Sequence, residues 1–341
     1  MATRIDAFNH FFPKKYFDTM LEIVGTGKDM GRRVLEVPCL HDIDVRRKVI
    51  DQFPDYAQII SLAAPAIEAL VTPEKAEELA RIANDGMAEL VAKYPDHFVG
   101  FVAQTPLTAP DAGVAETERA IKQLGAAGAQ IYTNVNGKPL DRPEFEPFFA
   151  AMNRINKPIW IHPLRGANIS DYPDEDRSLY EIWWTFGWPY ETSVAMARLV
   201  FSRMLDKYPN LKLIAHHLGA MVPYFEGRVG PGWDQLGART TDVDYVALRK
   251  SLKKRPLDYF KQDFYADSAT FGSRAATVCG LEFYGADRVV FASDCPFDPE
   301  KGPGYIRETL QIIDSLDLSK ADRDKIYFGN IEQMTGMKFR R

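Results

Sequence analysis

Cysteine is scarce: three stand in 341 residues, at positions 39, 279 and 295, with no Cys-x-x-Cys pair. So odd and scattered a set excludes a disulfide scaffold and argues against thiolate zinc; it suits a reducing cytoplasm. No apolar run approaches the roughly 18 residues that a membrane-spanning helix requires. The opening MATRIDAFNH has no basic stretch followed by an apolar one, so no signal peptide is expected. Neither sign of charge dominates: 42 basic against 47 acidic residues leave a net charge of −5, with no long basic run. Nucleic acid is therefore not an expected partner, and nor is a membrane. Low-complexity tracts, fixed-period repeats and Ser/Gly linkers are missing as well. No internal boundary is marked, and residues 1–341 read as one domain, although length alone suggests two.

What is present is a regular alternation. Short β-branched or aromatic runs recur at Arg4–His10, Gln58–Ala64, His97–Ala103, Gly128–Thr133, Pro158–Pro163, Leu211–His217, Asp263–Ala269 and Val289–Cys295. Most are continuously apolar, as strands buried on both faces are. Helical stretches fall between many of them. The clearest opens with Thr72-Pro73-Glu74, an N-cap followed by proline and an acid near the positive helix end, and stops at Pro95. Others are expected at Val114–Leu124, Pro143–Arg154, Thr192–Tyr208, Leu257–Lys261 and Tyr305–Leu316. Eight strand–helix repeats predict an α/β fold of the (β/α)8 TIM-barrel kind, with a doubly wound open sheet as the rival. Two connections are long: Phe11 to about Tyr56 after the first strand, and Leu164 to about Glu191 after the fifth. Both leave carboxyl ends of strands, where barrel enzymes place their sites. The second carries Trp183, Trp184, Phe186, Trp188 and Tyr190, which suit either an apolar pocket or a subunit contact.

Six histidines exist. His10, His162 and the pair His216-His217 fall at carboxyl ends of expected strands, and Asp294 ends the eighth. In a barrel these four ends share one rim. Imidazole and carboxylate together suit zinc, iron or manganese. Alternation turns one of His216 and His217 inward and the other outward. It also turns the Cys295 thiol away from the rim. His97 and His41 read as structural or surface residues. Glu191 reads first as an acid at the start of a helix beginning at Thr192, and second as a buried carboxylate orienting a ligand.

Six segments stand out together: Ile5–His10 with Pro13, Ile159–Pro163, Phe186–Thr192, Pro209–Gly219, Val222–Tyr224 with Gly227-Arg228, and Phe291–Pro296. In these the chain resembles the amidohydrolase-related superfamily, in the branch of aminocarboxymuconate-semialdehyde decarboxylase and the ortho-hydroxybenzoate (gamma-resorcylate-type) decarboxylases. It implies a metal-bearing barrel that removes carbon dioxide from an aromatic or unsaturated acid, a homodimer, and one divalent metal, zinc or manganese, on His10, His162 and Asp294. It favours His217 over His216 as the catalytic histidine, beside Asp294. It also implies a first metal ligand at residue 8, where this chain has Phe8, which cannot ligate. Asn9 faces the other way and Asp6 lies one pleat deeper on the expected alternation. Three ligands plus water can still hold a catalytic metal. Metal-free catalysis and a non-catalytic barrel stay open beside it.

Decarboxylation leaves an electron pair on carbon that must be delocalised and protonated; Asp294 or His217 is the expected proton carrier. Arg46 or Arg47, Arg165 and Arg228 are candidates to clasp a carboxylate. Phe8 and Trp188 complete the expected substrate contacts. Hydrolysis of a lactone or of a carbon–carbon bond on the same rim is the alternative reaction.

Overall fold

The computed structural model describes residues 3–25 and 31–339. Eight parallel strands lie side by side in chain order: β1 (Arg4–His10), β2 (Tyr56–Ser61), β3 (Phe98–Gln104), β4 (Gly128–Tyr132), β5 (Pro158–His162), β6 (Lys212–Ala215), β7 (Phe264–Asp267) and β8 (Val289–Val290). The sheet closes on itself. Ala7 N–H donates to Phe291 O (2.8 Å), Asp294 N–H to Phe8 O (3.2 Å) and His10 N–H to Cys295 O (2.8 Å). Those bonds decide for the barrel over the open sheet, since the two would-be edges are joined to each other.

Helices shield the outer face, so the strands are buried on both sides. Ile5, Ala57, Val102, Trp160, Ile214 and Val290 fill the interior, joined by Met334 and Phe339 from the end of the chain. The helix at Pro73–Lys93 has proline in its first turn, as its sequence predicts, but Thr72 makes no capping hydrogen bond from its side chain. The helix expected over Thr192–Tyr208 instead starts at Gly187 and ends at Phe201. A left-handed Arg203 (φ 64°) separates it from a short turn at Met204–Lys207. The first long connection is largely helical, over Lys14–Val24, Gly31–Glu36 and Ile43–Ile50. Positions 26–30 of it lie outside the described residues. Its third helix is capped by Asp42, whose carboxylate accepts from Asp44 N–H (2.9 Å) and Val45 N–H (3.2 Å).

Strict alternation fails in β1. Its register against β2 shifts between Asp6 and Asn9, a bulge that sends both Ala7 and Phe8 inward. Asp6 and Asn9 therefore share the outer face, and Asp6 does not point with Phe8 and His10 as a regular pleat requires. Asp6 accepts from Tyr56 OH (2.5 Å) and from Ser293 N–H (3.2 Å). Arg46 is the hub of this outer network and is fully buried. Its guanidinium donates to Gln58 Oε1 (2.8 Å), Asn9 Oδ1 (2.7 Å) and Cys295 Sγ (2.9 Å). The expectation that Arg46 clasps substrate is thus overturned: it lies behind the sheet and ties β1, β2 and the segment after β8 together.

Removing one partner from such a buried charged network costs about 3–5 kcal/mol. Arg46→Ala is therefore expected to lower the melting temperature by several degrees, measured by circular dichroism or calorimetry. An unchanged melting temperature would rule out the hub.

Candidate active site

Every strand end named by the sequence reaches one place. His10 is the last residue of β1 and His162 the last of β5, and both are buried. The ring centroids of His10, His162 and His216 stand 5.1–6.2 Å apart. Asp294 Oδ1 lies 3.0 Å from His10 Nε2 and 3.5 Å from His216 Nε2. Phe8 sits beneath them, its ring 4.3 Å from that of His216, 5.2 Å from that of His10 and 6.0 Å from that of His162.

The backbone around the histidine pair departs from strand geometry. β6 ends at Ala215, and His217, Leu218, Gly219 and Ala220 all have positive φ, from 52° to 70°. This left-handed run is costly for residues with side chains and must be held by its surroundings. Asp267 does part of the holding: its carboxylate accepts from His217 N–H (3.2 Å) and from His216 Nδ1–H (2.6 Å). The His217 ring is thereby laid on the His216 ring, with centroids 3.6 Å apart. Its Nδ1–H donates to Ala269 O (2.7 Å). The expectation that one of the pair faces outward fails, because the turn breaks alternation and brings both rings to the site. Asp267 went unselected in the sequence. The available signal was its register at the inward-facing carboxyl end of the seventh strand, matching His162 on the fifth.

Charge in the cluster is divided. Burial works against ionising Asp294, yet His10 and His216 hold it well below the usual carboxylate range. Burial pulls His216 down, but Asp267 and Asp294 together push it up to about 9. Burial lowers His10 and His162, and burial with the His216 charge lowers His217 to about 4. Neutral His10 and His162 donate through Nδ1 to Leu62 O (3.0 Å) and Pro163 O (2.7 Å). Their Nε2 lone pairs are left facing the cluster. The buried Nε2 atoms of His10 and His216 have no well-formed hydrogen bond. Ring nitrogens of His10, His162 and His216 lie within 4.8 Å of one another, and His216, His217 and Asp294 form an overlapping group. Unpaired buried nitrogens beside a carboxylate fit a divalent cation.

Above the cluster is a small chamber of about 10 Å³, walled by Trp184, Trp188, Phe271, Phe297 and the Arg33 side chain. Trp188 is buried, with its ring 5.5 Å from His162, and donates from Nε1 to Arg165 O (3.1 Å). Trp188 also borders a larger cavity of about 500 Å³ that Trp183, Glu68 and Arg165 line. So the aromatic segment after β5 does build the walls, while Phe186 and Tyr190 stay exposed on the surface. Arg165 pairs with Glu191 (3.1 Å) at the larger cavity. Glu191 lies inside the helix Gly187–Phe201, not at its start, so the helix-start reading is replaced by an ion pair with Arg165. Arg228 is exposed over the Phe225 ring, away from the cluster, and Arg47 lies over Tyr94. Neither belongs to the chamber wall, whereas Arg33, unselected in the sequence, does. His41 stacks on Phe17 and His97 pairs with Asp51, both structural as expected.

The Amidohydrolase family profile matches residues 5–336. Gamma-resorcylate decarboxylase of Polaromonas sp. (strain JS666) is 33% identical over 325 residues, covering 93% of this chain and 94% of the relative. The enzyme of the same name from Rhodococcus jostii (strain RHA1) is 33% identical over 343 residues, covering 96% of each. Among solved structures, dihydroxybenzoic acid decarboxylase from Polaromonas sp. JS666, with bound manganese and the inhibitor 2-nitroresorcinol, superposes with a TM-score of 0.78 at 29% identity, covering 98% of this chain and 97% of that one. The chain belongs to the amidohydrolase family. Within it, the enzyme is a decarboxylase, a carbon–carbon lyase.

The same geometry makes a prediction about the thiols. Cys295 adjoins Asp294 but turns outward to Arg46, and it and Cys39 are fully buried, whereas Cys279 is partly exposed. An aromatic disulfide reagent should titrate no more than one thiol in the native protein and three in guanidinium. A second fast native thiol would contradict the placement of Cys295.

Proposed function

We propose that the enzyme decarboxylates a benzoate bearing a hydroxyl ortho to the carboxylate, and that Asp294 and His217 carry the proton chemistry. The supporting observation is the ionised Asp294, set among histidines at the floor of an aromatic-walled chamber. Relatives named for gamma-resorcylate, and a structure holding 2,6-dihydroxybenzoate, support the substrate class.

One divalent ion, manganese or zinc, would be held by His10, His162 and Asp294; when bound it supplies a positive template for a substrate hydroxyl or carboxylate oxygen. The remaining steps belong to the protein. Trp188 and Phe271 offer flat apolar faces to the ring, and Phe8 floors the cluster. Arg165, which lines the larger cavity and is paired with Glu191, is placed to meet the incoming carboxylate. The chamber is far smaller than a benzoate, so Trp184, Phe271 or Phe297 gives way as the ring enters. Asp294 takes a proton that His217 passes on from solvent water and hands it to the ring carbon that carries the carboxylate. The carbon–carbon bond then breaks, its electron pair returns to the ring and carbon dioxide leaves. His217, neutral and stacked on His216, relays the replacement proton.

The expected homodimer is supported by the exposed aromatics Tyr180, Phe186, Tyr190 and Tyr224. A reducing cytoplasmic setting is supported by three unpaired cysteines. Among the described residues no helix is long and apolar enough to cross a membrane.

The test is carbon dioxide release from a panel of ortho-hydroxybenzoates in heavy water. One deuterium should appear at the vacated ring carbon. Asp294→Asn and His217→Gln should each lower kcat at least ~100-fold. Water consumption with the carboxylate retained would point to the hydrolase reading. Failure to turn over any member of the panel would overturn the substrate class.

A further inference from the structure

Three imidazoles in this site share one arrangement. Each has its Nδ1 occupied by an oxygen: Leu62 O for His10, Pro163 O for His162 and the Asp267 carboxylate for His216. Each turns its other ring nitrogen toward the same point, and those nitrogens lie within 4.8 Å of one another. Asp294 completes the circle at 3.0 Å from His10 and 3.5 Å from His216. Metal-ligating histidines are built this way, with the distal nitrogen held by a carboxylate or carbonyl to fix tautomer and direction. His216 has the strongest such partner, since Asp267 is a carboxylate and fully buried. A histidine serving only to support the fold has no need of a second nitrogen left buried without a hydrogen bond, as His216 Nε2 is. Phe8 also packs against His216, at 4.3 Å between ring centroids. Strand β1 thus supplies one ligand, His10, and an apolar ring where a second donor would stand.

We propose that His216 takes the coordination place that Phe8 leaves empty of donors, so that a divalent metal is held by His10, His162, His216 and Asp294, with Asp267 as the positioning residue of His216. Three imidazoles and one carboxylate make a four-donor set, enough for zinc or manganese with substrate or water added. His217, tied to Ala269 O and stacked above, is then free of the metal and available for proton transfer. The inference rests on the metal-holding part of the proposed function and deepens it.

Metal affinity tests it without reference to turnover. Manganese binding to the apoprotein is followed by the electron paramagnetic resonance signal of free Mn²⁺, and ligand number by the visible absorption of the Co²⁺ form. His216→Ala should weaken manganese binding by at least tenfold and change the cobalt spectrum. Asp267→Asn, which keeps the imidazole, should weaken it about 10- to 100-fold. His217→Gln should leave it within about twofold. Phe8→Glu added to His216→Ala should recover most of the loss by moving a donor back to β1. Circular dichroism verifies that each variant folds, and Asp267→Asn carries the test if His216→Ala does not. Wild-type affinity in both His216→Ala and Asp267→Asn would overturn the proposal while leaving a metal-dependent decarboxylase in place. A wild-type protein that takes up no metal would overturn the proposal and the metal together, and carbon dioxide release would then report separately on the decarboxylase reading.

Discussion

Asp294 carries a negative charge into a place where burial opposes it, and two imidazoles, His10 at 3.0 Å and His216 at 3.5 Å, hold it there. The rest of the site follows from that arrangement. A buried carboxylate needs compensating groups close by, so the end of β1 and the segments after β6 and β8 must meet within about 3.5 Å. The barrel makes this possible through its closing seam. The Asp294 amide itself donates across it to Phe8 O, so the residue that holds the charge also helps to join the first strand to the last.

A second polar network on the far side of the same strands keeps the seam in register. Arg46 grips Asn9 and Gln58 and reaches Cys295, the neighbour of Asp294. Adjacent residues of one chain segment thus serve opposite faces: Asp294 turns in to the histidines and Cys295 turns out to the guanidinium. The bulge in β1 belongs to this design, because it places Asp6 and Asn9 together on the outer face and still leaves Phe8 and His10 inside. The two faces are coupled through a backbone that has little freedom to shift on one side without disturbing the other.

Around the histidine pair the chemistry depends on a backbone that is not a strand at all. Four consecutive residues of positive φ fold His217 back over His216, and Asp267 receives both the His217 amide and the His216 ring. One carboxylate therefore sets the direction of two imidazoles with different environments, one pushed up by its acidic neighbours and one pushed down by burial and by its partner's charge. Opposed environments on neighbouring imidazoles suit a division of labour between holding a cation and moving protons.

Much was legible in the chain alone. Eight apolar runs of strand length announce a parallel barrel, and a parallel barrel brings all strand ends to one rim, so the pattern of the chain alone groups His10, His162 and Asp294. It does so because period-two alternation and burial on both faces are local properties of sequence. What failed was whatever depended on departures from the regular pleat or on partners far along the chain. The bulge that turns Asp6 outward, the left-handed turn that brings both His216 and His217 inward and the burial of Arg46 behind the sheet come from packing between segments up to about 290 residues apart. Asp267 and Arg33 are silent in the sequence for the same reason, since neither has a local pattern that distinguishes a site residue from an ordinary strand or helix residue. Sequence periodicity determined the barrel and the rim; tertiary packing alone decided which way each polar side chain on that rim would face.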